Sequence, residues 1–230
     1  MKSVLIIGGS STLGISLINK FTQANYSLIA TYTKSTIEKH DNLLSFKLDL
    51  TSESSIEDFI NFIQSNELRF DICVFLSGIL PGNNLSEYTP EEIDQVMNIN
   101  FIAFTKLYKK LEKYLNNESQ LIAVSSISAQ RGSYDPIYAA SKGALISFVK
   151  SISQINPIKT RANAIAPGLI EDTSMFHAMQ PVRQSFHIDQ SPTKKLTQIE
   201  DLSSIIFDMT KPHWSNVNGE VIKVNGGSYV

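Results

Sequence analysis

Tyr138 and Lys142 stand four residues apart in Pro136-Ile137-Tyr138-Ala139-Ala140-Ser141-Lys142-Gly143, with Ser125-Ser126 a short way upstream. On a helix that spacing puts both side chains on one face, so an ammonium group lies within reach of a phenol. An unperturbed tyrosine titrates near ~10 and a close cation lowers a pKa by roughly 1–3 units, so the pair is expected to bring the phenol near a usable value at neutral pH. A serine hydroxyl beside it would orient and polarise the oxygen that reacts. This is equipment for moving a proton alongside a hydride.

The elements that must position these groups are legible as a repeating pattern. Gly8-Gly9-Ser10-Ser11-Thr12-Leu13-Gly14 follows the apolar run Val4–Ile7 directly and precedes a helix expected to begin near Leu13. Glycines at a strand-to-helix turn let the backbone approach a pyrophosphate, while the helix N-terminus adds N–H donors and positive potential. Seven apolar runs read as strands: Val4–Ile7, Leu28–Tyr32, Leu44–Leu48, Ile72–Leu76, Leu121–Val124, Ala162–Ile165 and Val221–Val224. Their near-continuous hydrophobicity suits a parallel sheet covered on both faces.

Between the strands, Ile56, Phe59, Ile60 and Ile63 make one apolar stripe of a helix over Ser54–Ser65. Thr89-Pro90-Glu91-Glu92 combines an N-cap hydroxyl, a proline at the first helical position and a glutamate at the third, which predicts a helix from about Pro90 toward Lys113. Two more helices are expected over Pro136–Ser153 and Ile199–Met209. Gly168–Thr197 reads as one long irregular stretch, of the kind that serves as a lid or binding segment.

Composition bounds the partners. At 230 residues and 42% hydrophobic, the chain is expected to form one domain over 1–230. Net charge is −2 with no basic block, which favours neither a nucleic acid nor an anionic membrane. The single cysteine, Cys73, lies in an apolar run and reads as a buried thiol, with no intramolecular disulfide available. Met1-Lys2-Ser3 leads into only four apolar residues before Gly8, too few for a signal peptide's apolar region, so a cytoplasmic protein with a small-molecule partner is expected.

In order along the chain, Gly8, Gly14, Leu48-Asp49-Leu50, Asn100, Ser126, Tyr138, Lys142, Pro167-Gly168 and Val224-Asn225-Gly226-Gly227 resemble the short-chain dehydrogenases/reductases of the "classical" size group. The resemblance covers essentially the whole chain, and it implies an α/β, Rossmann-like, doubly wound sheet of about seven parallel strands with helices on both faces. It further implies a nicotinamide dinucleotide as cofactor and hydride transfer to or from a carbonyl or alcohol carbon. Carried over position by position, Ser126, Tyr138, Lys142 and Asn100 take the catalytic places, with Ser125 the second choice of serine and Asn98 the decoy for Asn100. The gap from Ser126 to Tyr138 is one residue shorter than is common, as a trimmed loop would make it. Lys142 would also bond the nicotinamide ribose.

Gly8, Ser10, Ser11, Thr12, Leu13 and Gly14 would hold the pyrophosphate, although Thr12 replaces the family's middle glycine and Ile7 its threonine. Asp49, with Leu50, matches the aspartate that contacts adenine; the other reading of Asp49 is a helix cap. Ser77 and Gly78 fall where the family shows Asn-Asn-Ala-Gly, but Phe75 and Leu76 replace the asparagines. Pro167, Gly168, Ile170 and Thr173 would lead to the carboxamide pocket, with Thr173 one position late and Glu171-Asp172 expected to point away. The second strand ends in Thr33-Lys34-Ser35 with no acid to repel a 2′-phosphate, so NADP(H) is expected over NAD(H), with these three as phosphate contacts or Lys34 as a solvated loop lysine.

The segment 169–197 would be the substrate lid. Its Met175, Phe176, Met179 and Phe186 suggest an adaptable, partly apolar pocket. Arg183 and His177 would meet an anionic or sugar-like group, or lie solvated. Two histidines ten apart make no metal site on their own, and none is expected. The expected function is an oxidoreductase acting on a small carbonyl or alcohol, with the tyrosine as general acid and base. The other class the same residues admit is a dinucleotide-binding sensor or scaffold with little turnover. By the same resemblance the chain is expected to form a homodimer or homotetramer.

Overall fold

The computed structural model describes residues 1–155 and 159–230. Among the described residues, seven strands form one all-parallel sheet: β1 (Ser3–Ile7), β2 (Ser27–Tyr32), β3 (Leu43–Lys47), β4 (Phe70–Phe75), β5 (Leu115–Val124), β6 (Thr160–Pro167) and β7 (Val221–Val224). Their order across the sheet is β3-β2-β1-β4-β5-β6-β7. The order reverses between β1 and β4, and in an open α/β sheet the crevice at the carboxyl ends of two such strands is where ligands bind.

Strand alternation divides the interior into two cores. Leu5 and Ile7 of β1 join Phe59, Phe75, Phe104, Leu145 and Val149 on one face of the sheet. Val4 and Ile6 join Leu17, Phe21, Leu202 and Ile206 on the other. The first layer is closed by α2 (Glu53–Ser65), α4 (Ala103–Leu111) and α6 (Pro136–Ile155), with the one-turn α5 (Ser128–Arg131) just before α6, the second by α1 (Thr12–Gln23) and α9 (Ile199–Asp208). Side chains of successive strand residues point to opposite faces, which is why one apolar run feeds both layers.

Local chemistry sets the helix starts. Ser11 accepts a bond from the Gly14 amide at 3.1 Å to open α1, and Ser52 from Ser55 at 3.2 Å to open α2. The capping box read at Thr89 and Glu92 is made in both directions, and it opens α3 (Pro90–Met97).

Three expectations change in detail. The single helix foreseen from Pro90 toward Lys113 is divided: a π turn at Asn98–Ile102 separates α3 from α4, and a 3₁₀ turn at Glu112–Tyr114 ends the run. A wider turn leaves no mark in an apolar pattern of period 3.6. The fifth strand starts at Leu115 rather than Leu121, because Leu115 pairs with Phe70 across a shift in register before Gln120 meets Ile72. Gly168–Thr197 is not irregular throughout, since α7 (Ser174–His177) is capped by Thr173 and α8 (Pro181–Gln190) starts on a proline. No helix among the described residues is long and apolar enough to cross a membrane.

Phe75 and Phe104 stack with ring centroids 4.0 Å apart and planes 18° from parallel, both fully buried. Phe104→Ala is expected to remove about 3–5 kcal/mol of stability, read from the urea midpoint at constant m-value. A loss below about 1 kcal/mol would mean that neighbouring side chains refill the layer.

Candidate active site

The glycine turn is built so that only glycine fits at two places. Gly8 has φ of +90°, and a Cβ there would come 2.8 Å from Ser77 Oγ. A Cβ on Gly14 would meet the Gly9 carbonyl oxygen at 2.5 Å, where the helix folds back on the turn. The turn is fastened to β2, for the Gly8 amide donates to Thr31 Oγ1 at 3.1 Å and the Gly9 amide to the Thr31 carbonyl at 2.7 Å. Ser11 spends its hydroxyl within the loop, donating to the Gly8 carbonyl as well as capping Gly14. Thr12 is the exposed first residue of α1 in ordinary helical backbone, so the methyl it adds faces solvent and no strain attends it. Leu13 is buried below. The first-turn amides of Thr12 and Leu13 have no partner among the described residues. Free amides at a helix start, beside a turn with no side chain in the way, fit a dinucleotide's pyrophosphate.

Beyond the turn, the ends of β2 and β3 place the residues expected at the adenosine. Thr33 donates its hydroxyl to the Leu48 carbonyl at 3.0 Å, and Lys34 and Ser35 are exposed. Asp49 accepts from both the hydroxyl and the amide of Thr51, at 2.7 and 2.9 Å, and these bonds hold its carboxyl below the usual carboxylate range. It is not the cap of α2, a place taken by Ser52. Leu50 is buried beside it.

The two positions where asparagines were replaced are filled by packing. Phe75 enters the stack described above, and Leu76 packs on the opposite core while its amide donates to the Ile7 carbonyl at 2.9 Å. Gly78 follows, where the backbone passes close to Lys142 and Asn100. A Cβ there would lie 2.9 Å from Lys142 Nζ and 3.3 Å from Asn100 Oδ1.

Buried polar side chains of the π turn and of the strand end after β5 meet α6 here. Asn100, fully buried in the π turn, accepts from the Ile79 amide at 2.7 Å and donates to the Ile79 carbonyl and to Ser141 Oγ, each at 3.0 Å. Asn98 is only part-buried. Lys142, 3% exposed, donates from Nζ to the Val124 carbonyl at 3.0 Å. The two candidate serines separate cleanly: Ser125 donates to the Lys142 carbonyl at 2.8 Å, whereas Ser126 lies against the Tyr138 phenol and also accepts from the Ser128 amide at 3.1 Å.

The electrostatics differ from the sequence expectation. Burial pushes the Tyr138 phenol up to about 12, opposed by the Ser126 hydroxyl and assisted by the Asp135 carboxylate. Burial also draws the Lys142 ammonium down to about 8. The expected lowering of the phenol by its lysine is not seen: desolvation dominates, and Nζ is committed to Val124. At neutral pH the phenol therefore holds a proton it can give.

Pro167 ends β6, and the amide of the next residue, Gly168, donates to the Val224 carbonyl at 2.9 Å. Ile170 bridges to Thr197 at the two ends of the lid segment. Thr173 uses its hydroxyl to cap α7, accepting from Phe176 at 3.2 Å and donating to Ile170 at 3.0 Å. Glu171 bonds Gln198, and Asp172 lies 3.9 Å from His177. Arg183 of α8 stacks over the Tyr134 ring at 4.3 Å, and burial together with Arg131 and Arg183 pushes the His187 imidazole down. A small cavity lined in part by Ile127, Arg131, His187 and Lys195 lies under this lid.

Asp135 is a site residue that sequence reasoning passed over. It is 2% exposed and caps α6 by accepting from the Tyr138 amide at 2.8 Å. Its signal was present: an acid directly before Pro136 repeats the cap-then-proline pattern used for Thr89-Pro90.

The family model described as enoyl-(acyl carrier protein) reductase matches residues 11–229. The 3-oxoacyl-(acyl carrier protein) reductase FabG of Buchnera aphidicola subsp. Baizongia pistaciae is 28% identical over 240 residues, covering 100% of this chain and 98% of the relative. The enzyme of the same name from Vibrio cholerae is 27% identical over 239 residues, with the same coverage. Among solved structures, a short-chain dehydrogenase/reductase of Brucella melitensis, described as a glucose/ribitol dehydrogenase, superposes with a TM-score of 0.92 at 25% identity, over 100% of this chain and 97% of that one. A Burkholderia cenocepacia short-chain dehydrogenase in complex with NADP shares the fold at a TM-score of 0.88 and 20% identity, over 99% and 97%. The chain belongs to the short-chain dehydrogenase/reductase family of oxidoreductases.

Proposed function

We propose that this chain is an NADP(H)-dependent carbonyl reductase in which Tyr138 is the general acid, and that its substrates include 3-oxoacyl thioesters. The observation that carries the reading is the pairing of the Tyr138 phenol with Ser126, on the helix whose Lys142 meets Asn100 beside Gly78. The names of the relatives support the thioester, and the open, acid-free end of β2 supports the 2′-phosphate. A bound nicotinamide supplies the hydride. The amides at the start of α1 hold the pyrophosphate, with Gly8 and Gly14 keeping the backbone clear of it. Ser126 holds the substrate oxygen, and Tyr138 delivers a proton to that oxygen as its carbon gains the hydride, leaving an alcohol and a phenolate. Lys142 adds a positive charge to the pocket from one turn farther along α6, and Asn100 keeps the wall at Ile79 in place. Segment 169–197 would close over the substrate, and the chain would act as one domain and pair with itself through α3, α4 and α6.

Tyr138→Phe is expected to lower kcat with acetoacetyl-CoA and NADPH by roughly 10²–10⁴-fold while NADPH binding, read by fluorescence, is kept. Turnover at the wild-type rate would sink the acid role.

Lys142 has a depressed pKa, so its charge is present below about pH 8 and lost above it. Reduction should accordingly hold its kcat/KM up to about pH 8 and decline beyond. A profile that stays flat into the tyrosine range would show that the ammonium is not needed.

Thr33→Asp places a carboxylate where the 2′-phosphate is expected, and should raise KM for NADPH about tenfold with little effect on NADH, about 1.4 kcal/mol of discrimination. Equal effects on both cofactors would move the phosphate contact elsewhere.

A further inference from the structure

We propose that Asp135 is a positioning residue for the proton transfer assigned to Tyr138, its carboxylate locking the phenol-bearing turn of α6 to the wall formed by the segment between β4 and α3. This rests on the reading of Tyr138 given above. An ordinary helix cap needs one oxygen for one amide. Asp135 does more. One oxygen accepts from the Tyr138 amide at 2.8 Å, the other from the Gly82 amide at 3.0 Å, and the Tyr88 hydroxyl lies 2.8 Å from both. No lysine, arginine or histidine stands within 4.0 Å of it among the described residues, so this buried carboxylate is held by neutral donors alone.

The segment it grips forms one wall of the site. At its start, Ile79 is clamped through both backbone groups by Asn100, which in turn bonds Ser141 of α6. Farther on, Gly82 turns with φ of +81° and Tyr88 reaches back to the carboxylate. The wall is thereby tied to α6 twice, at Ser141 and at Tyr138. A third link joins the neighbouring residue to the lid: Asn84 donates to the Tyr134 hydroxyl at 2.9 Å, and Arg183 stacks on the same ring. Asp135 thus sets where the phenol stands relative to the wall on which substrate must lie.

A negative charge at this place also has an electrostatic signature that a plain cap lacks. The groups that act on the Tyr138 phenol are Ser126, just past the end of β5, and Asp135 before α6; those facing Asp135 are Tyr88, with Glu92 of α3 behind, and the two amides. The Asp135 charge raises both phenols, so its removal must lower the Tyr138 titration midpoint.

The test is Asp135→Asn in the full chain, with ring-labelled tyrosine followed by ¹³C NMR and the Tyr138 signal assigned by its loss in Tyr138→Phe. The midpoint should fall by roughly one unit, and kcat with acetoacetyl-CoA should drop about tenfold with NADPH affinity kept. Asp135→Ser, which keeps a cap for the Tyr138 amide but cannot reach Gly82 and Tyr88 together, should show the same two changes. A folded Asp135→Asn whose midpoint and kcat are unchanged would overturn the proposal, as would failure of both variants to fold, which would make Asp135 purely structural. The midpoint is read without turnover. Full activity in Tyr138→Phe would therefore defeat the acid role of Tyr138 given above, while an unmoved midpoint would defeat only the role of Asp135.

Discussion

Carrying the Lys142 ammonium into a place 3% open to solvent constrains everything around it. A buried charge is tolerated only where its lost hydration is replaced, and the Val124 carbonyl at the end of β5 does part of that at 3.0 Å. The strand must therefore stop with a carbonyl aimed at α6. Ser125, the next residue, ties the Lys142 backbone from the same strand end, fixing the helix against the sheet at the height of the ammonium. On the far side Gly78 must lack a side chain, because Nζ occupies the space a Cβ would take. Glycine, strand end and helix register are three consequences of one placement.

The fold was legible because it rests on patterns that local chemistry enforces. Apolar runs such as Val4–Ile7 feed both faces of the sheet and cannot be mistaken for solvent-facing strands. The capping box at Thr89 and the cap-and-proline start of α6 are short-range and hold wherever the tertiary structure allows. What stayed hidden depends on neighbours distant in sequence. The π turn at Asn98–Ile102 gives Asn100 its burial, yet its cause is the Ile79 backbone and Ser141, 21 and 41 residues away. Likewise Ser125 and Ser126 are the same residue type in adjacent positions, and only the approach of α6 decides which hydroxyl meets the phenol. The direction of the Tyr138 shift was misread for a related reason: spacing reports the nearby cation but says nothing about desolvation.

Departures from the family pattern turn out to be local exchanges of one kind of cohesion for another. Where side-chain hydrogen bonds would brace the central strands, Phe75 supplies a stacked ring in the first core and Leu76 an apolar contact in the second. Such a substitution keeps the strand end in place while removing polar groups from the crevice floor. Thr12 is milder still, since helical backbone and exposure leave it free to sit beside the open amides. The glycine turn keeps its shape through Gly8, Gly14 and the bonds to Thr31.

The two cores have a mechanical consequence. The helix behind the glycine turn, α1, is anchored in the layer it shares with α9, whereas α6, with the phenol and the ammonium, is anchored in the layer of α2 and α4. Each layer can open with its own free energy, as cooperative units of a protein do. Loosening of the α1 layer would thus free the helix behind the glycine turn while leaving the buried phenol and ammonium in register. A molecule so divided can relax one side of its crevice without rebuilding the other.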